Sequence, residues 1–229
     1  MGDADDLARL ALASVDAGDL RSALAAAEEA VARDARSPEA HTALGWVLEN
    51  LGEGRLQEAA RAYERAIALD PGALLAKEGL ANVLRRLGRP AEADTLAAEV
   101  VALAAGDPRP ETLELRGWCE LQLGRLADAE RSFRRALDQE PELVSVRLDL
   151  ALTLLCAGRP SEALAAYDEA IATAERLGDL RGVLAIALDD LEQALAARPE
   201  LAPTPAAAAA RERLRAASTG GAPAPMGGA

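Results

Sequence analysis

The chain has 229 residues, half of them hydrophobic, and a formal net charge of −13. That length and apolar content can bury a sizeable core, while the acidic balance repels phosphate backbones and argues against a nucleic-acid partner. Ala and Leu dominate, β-branched residues are sparse, and the composition favours an all-α protein.

The N-terminal MGDADDLARL lacks the basic stretch and apolar run of a secretory leader. Asp6 stands where an N-myristoylation signal at Gly2 needs a hydroxyl residue. No apolar run approaches the length that crosses a bilayer, so no membrane partner is expected. Cys119 and Cys156 have neither CxxC nor zinc-type spacing. Lys77 is the one lysine among 25 basic residues, an Arg bias that suggests a GC-rich bacterial genome. The expectation is a soluble cytoplasmic protein with reduced thiols.

Glycines 18, 52, 88, 124 and 158 form a column spaced by 34, 36, 36 and 34 residues. Seven residues before each stands a small residue: Ala11, Gly45, Ala81, Gly117 and Ala151. After them come Ala23, Ala59, Ala93, Ala129 and Ala163, in step except where Glu53 and Gly54 add a pair. Pro108 and Arg109 account for the second added pair. Glycine takes the left-handed conformation that ends a first helix, and small residues beside the turn let a second antiparallel helix approach closely. Pro71 and Pro141 stop second helices. A helix pair with an uncovered apolar face must stack on the next, so the period predicts a helical solenoid.

The unit LRGWCELQLGRLADAERSFRRALDQEP resembles a tetratricopeptide repeat (TPR), and HTALGWVLENLGEGRLQEAARAYERAIALDP nearly so. The resemblance implies a right-handed superhelix of five units over about 4–37, 38–73, 74–109, 110–143 and 144–177. Ala27 and Ala97 depart from it by replacing the aromatic of the second helix, and Arg116 with Glu120 by replacing apolar packing residues. Asp179 is the expected N-cap of a terminal helix over about 179–197, whose Val183, Leu184, Ala187, Leu188, Leu191 and Leu195 recur at helical spacing. That helix is expected to cap the open end of a solenoid domain spanning 1–197. Residues 198–229 read as a Pro/Ala/Gly-rich, mostly disordered tail, with room for a short helix around Ala206–Ala216.

Signals of catalysis are weak. His41 shares no local motif with a serine or cysteine and reads as a partly buried packing residue. The glycines sit at helix ends, not in a phosphate-binding loop. Neither a catalytic residue, nor a metal, nor a cofactor is expected.

All five aromatic residues fall into two slots of the unit. Tyr63, Phe133 and Tyr167 take the slot where helices pack. Trp46 and Trp118 take the slot six residues before the turn glycine, in line with Leu12, Asn82 and Leu152, on the opposite face of the first helix. By resemblance, that face lines the concave surface in which TPR proteins hold peptides. The indoles, two units apart, are expected on the order of 20 Å from one another. Asn82 is the candidate to bond a peptide backbone. Arg85 and Arg86 fit either a cationic spot for a carboxylate or a solvated helix end opposing the dipole. Leu121, Leu148, Leu152 and Leu155 extend an apolar surface, or lie under the terminal helix or the tail.

Chaperone-type TPR modules grip a C-terminal carboxylate with Lys, Asn and Arg. The matching slots here hold Ala8, Leu12, Ala43, Leu75 and Gly79, or Thr42, Trp46, Gly79, Glu111 and Leu115 one unit on, and neither set is a clamp. The expected role is a non-catalytic adaptor that holds a short extended or helical segment of another protein. The alternatives are self-association through solenoid ends and a groove inhibited by the chain's own tail.

Overall fold

A computed structural model describes residues 3–178 and 181–219. Among them are twelve α-helices and no strand. Ten form five antiparallel pairs: α1 (Asp3–Asp16) with α2 (Leu20–Arg33), α3 (Pro38–Asn50) with α4 (Leu56–Leu69), α5 (Leu74–Arg86) with α6 (Pro90–Leu103), α7 (Pro110–Gln122) with α8 (Leu126–Gln139), and α9 (Val144–Cys156) with α10 (Pro160–Leu177). Each second helix also packs on the next first helix, which makes the stack a helical solenoid. No helix among the described residues is long and apolar enough to cross a membrane.

The glycine column has the conformation its spacing predicts. Gly18, Gly52, Gly88, Gly124 and Gly158 all have positive φ, between 72° and 99°, a region costly for any residue with a Cβ. Helix starts are marked locally: the Ser37 hydroxyl accepts from the Ala40 amide at 3.1 Å, and Pro38 occupies the first turn of α3. The extra Glu53 and Gly54 are absorbed in a short 3-10 turn over Glu53–Arg55.

Small residues and aromatics interlock across the turns. The Tyr63 ring is 1% exposed, and a Cβ on Gly45 or Gly79 would fall 2.7 or 2.3 Å from it. Phe133 fills the same role against Gly117. Where the sequence departs from the repeat, the contacts are satisfied: buried Glu120 accepts from Arg116 Nε at 2.8 Å and from the Ser132 hydroxyl at 2.7 Å.

The C-terminal segment differs from expectation. A helix does occupy Arg181–Ala197 (α11), but it does not simply cap the stack. It lies against α9 and reaches across to α1, so that it crosses the concave face. At the α1 end, a Cβ on Gly182 would stand 2.3 Å from the Val15 and Asp16 carbonyl oxygens, an approach only glycine permits. The reason is that α11 is apolar on more than one side. Leu184, Leu191 and Leu195 join the core cluster of α9, while Ile186 packs into the cluster of α1 and α3.

Covering the last repeat falls instead to α12 (Pro205–Thr219), which packs on α10 and α11. Its Ala206, Ala207, Ala210 and Leu214 are buried, and Arg213 pairs with Asp168 of α10 at 2.8 Å. The short helix for which Ala206–Ala216 left room is present and runs over Pro205–Thr219, where alanines supply both helix propensity and close packing. The N-cap expected at Asp179 and the tail from 220 onward lie outside the described residues.

Candidate functional site

Between the inner helices and α11 lies a cavity of about 690 Å³. Its walls come from α1, α3, α5, α7 and α9 on one side and from Val183, Ile186 and Ala187 of α11 on the other. Of the candidate residues, Trp46, Asn82, Arg86, Trp118 and Leu148 line it. Both indoles are half-buried: Trp46, like Leu12 and Ile186, packs against the core cluster of α1 to α3, and Trp118 against the cluster that includes α9.

The polar candidates are already engaged. Asn82 Oδ1 accepts from Trp118 Nε1 at 3.0 Å and from Gln122, while Asn82 Nδ2 donates to Glu78 Oε1 at 2.6 Å. The amide expected to meet a peptide backbone instead fixes the neighbouring indole. Arg85 is not among the lining residues; it pairs with Asp94 at 2.9 Å. Arg86 donates to Glu53 at 2.9 Å and lies 3.9 Å from Glu49. The solvated helix end proposed for the two arginines gives way to cross-helix ion pairs.

Leu121, Leu152 and Leu155 are not open surface either. At 4%, 4% and 3% exposure they belong to the core cluster that also holds Leu184, Leu191 and Leu195 of α11. The same cluster takes in Ala207, Ala210 and Leu214 of α12.

Carboxylates line the cavity although none is among the binding residues expected from the sequence. Each inner helix contributes at least one to the cavity wall: Asp16, Glu49, Glu78, Glu114 and Asp149, with Asp190 facing them from α11. Glu78 and Glu114 stand four residues before Asn82 and Trp118, on the same helix face, a recurrence that could have singled them out. Burial, with Glu78 nearby, holds the Glu49 carboxyl well above its ordinary range, although Tyr63 donates to it at 3.0 Å and Arg86 lies close. Burial likewise pushes Glu78 up to about 7 and Asp190 up to about 8. Asp149 is raised by burial and by Glu114, Asp190 and Glu78. Among the described residues these carboxylates do not converge into a group that could hold a metal ion.

The lone histidine bonds locally, His41 Nε2 lying 3.0 Å from the Ala35 carbonyl. Cys119 is buried and its thiol pushed far up by that burial; Cys156 is half-buried and raised for the same reason.

Three sequence models described as tetratricopeptide repeat match the chain, over 73–139, over 8–54 with 114–176, and over 40–75. No curated protein matches it. Among solved structures, TTC0263, a thermophilic TPR protein in Thermus thermophilus, is 25% identical with a TM-score of 0.60, covering 81% of this chain and 98% of its own. PilW, a type IV pilus biogenesis factor, is 21% identical with a TM-score of 0.53, covering 94% of each chain.

Proposed function

The chain belongs to the tetratricopeptide repeat family, and from that premise we propose that it is a non-catalytic adaptor which binds a short segment of a partner protein in the chamber under α11. The observation that carries this reading is the placement of Trp46 and Trp118. Both line one cavity on the concave side, and both keep part of the indole unburied. Aromatic anchors of this kind supply a large share of binding energy at interfaces. The free thiols of Cys119 and Cys156 support a reducing, cytoplasmic setting.

Comparative capture from native lysate tests the reading, using the full chain beside the Trp46→Ala/Trp118→Ala double variant. Losing both anchors costs at least about 1 kcal/mol each, so captured partners fall at least tenfold. A partner retained at equal strength by the double variant refutes this chamber as its site.

A second reading concerns access. Among the described residues, the segment of the same chain that reaches across the groove is α11. Partner binding is then limited by how readily α11 lifts from α1.

A further inference from the structure

Among the described residues, the chamber is walled on six helices by acids. Among the described residues that line it, Arg86 is the one cation, and its guanidinium is already held by Glu53. Glu49 and Glu78 are 6% and 7% exposed. Among the described residues, Glu78 has no cation within ion-pair distance, and the Asn82 amide is its hydrogen-bond donor. Among the described residues, the Asp149 and Asp190 carboxylates accept no hydrogen bond and form no ion pair.

Carboxylates buried without a counter-charge oppose folding, and a native structure keeps such an arrangement at a cost in stability. Here they surround a cavity, not a packed interior, and its volume falls within the roughly 300–1,000 Å³ of ligand pockets. Two indoles stand on the same walls, and an indole face attracts a cation. Apolar side chains of Leu12, Val15 and Ile186 complete the lining. Acids, aromatic faces and aliphatic surface together match a long basic side chain, whose stem is apolar and whose head is charged.

We propose that the chamber recognises a cationic side chain: the partner segment carries arginine or lysine among apolar residues, with the charged head placed among Glu78, Asp149 and Asp190, its aliphatic stem against Trp118, and an apolar residue of the same segment against Trp46. Once ionised, above the raised values of Glu78 (about 7) and Asp190 (about 8), the same acids reject an acidic segment by like-charge repulsion. This identification rests on the adaptor reading and specifies its partner.

Fluorescence titration of the full chain reads the chamber directly, because its two tryptophans are the only ones in the sequence and both line it. The probes are three blocked octapeptides that alternate leucine with arginine, glutamine or glutamate. The arginine peptide is expected to bind at least tenfold more tightly than the glutamine peptide, and the glutamate peptide more weakly than either. In the Glu78→Gln/Asp149→Asn double variant, the arginine peptide loses at least tenfold while the glutamine peptide is unchanged. Removing uncompensated acids raises the melting temperature, which separates lost recognition from lost folding. Equal affinity for arginine and glutamine peptides overturns the cationic partner and leaves the adaptor standing. Saturation by none of the three at millimolar concentration overturns both. Spermine binding as tightly as the arginine peptide assigns the chamber to a small organic cation and overturns the peptide segment.

Discussion

Asp190→Asn isolates the force that works against closure of the chamber. Asp190 sits on α11, and burial, its neighbour Asp189 and Glu78 across the cavity raise its carboxyl from 3.8 to about 8, with Arg86 acting in the opposite sense. A carboxyl that binds its proton more tightly when α11 is docked stabilises docking fully below its ordinary value. The contribution is lost as pH rises through about 8. Between pH 6 and 8 the slope is at most about 1.4 kcal/mol per pH unit, so docking weakens by up to about 3 kcal/mol, roughly 100-fold in the opening equilibrium. Glu78, raised to about 7, adds to the same trend from the opposite wall. Hydrogen exchange of the α11 amides, corrected for the intrinsic pH dependence, measures this opening. In the natural chain α11 protection is expected to fall steeply from pH 6 to 8. In Asp190→Asn it is expected to fall less and to be at least tenfold greater at pH 8. Identical profiles for the two proteins, or stronger protection of α11 at pH 8 than at pH 6, refute the reasoning.

Gly182→Ala places a methyl 2.3 Å from two backbone carbonyl oxygens of α1. It is expected to loosen the N-terminal end of α11 and speed partner association severalfold in stopped-flow fluorescence; an unchanged association rate would remove α11 as the barrier to entry. Gly79→Ala drives a Cβ into the buried Tyr63 ring, which is expected to cost about 2–3 kcal/mol. Calorimetry should then show a melting temperature lower by about 5–10 °C, given about 2–4 °C per kcal/mol for a chain of this size. Deleting residues 205–229 uncovers the apolar face of α10 and α11 beneath Ala207, Ala210 and Leu214. Sedimentation is expected to show concentration-dependent association, and a stable monomer at all concentrations would remove α12 from the role of cap.

The framework was legible in the residues alone, because its signals are local and repeated. A glycine that must adopt positive φ, a small residue seven positions earlier and an aromatic that fills the space between helices are properties of one unit, and repetition at 34 or 36 residues makes them readable. That Trp46 and Trp118 stand opposite the packing face follows from helical geometry, and the resemblance to tetratricopeptide repeats implied that this face is the concave one. Partners across the stack are another matter. Arg86 meets Glu53 33 residues away, and Trp118 meets Asn82 36 residues away. Nothing in the local pattern distinguished those paired side chains from free ones. The path of α11 was also undecided, because its apolar residues fit both a terminal cap and a strap across the groove. The folded arrangement chose the strap through Gly182 against α1 and three leucines against α9. Curvature of the stack brought together carboxylates from six helices that no linear spacing connects, and that long-range convergence gives the chamber its charge.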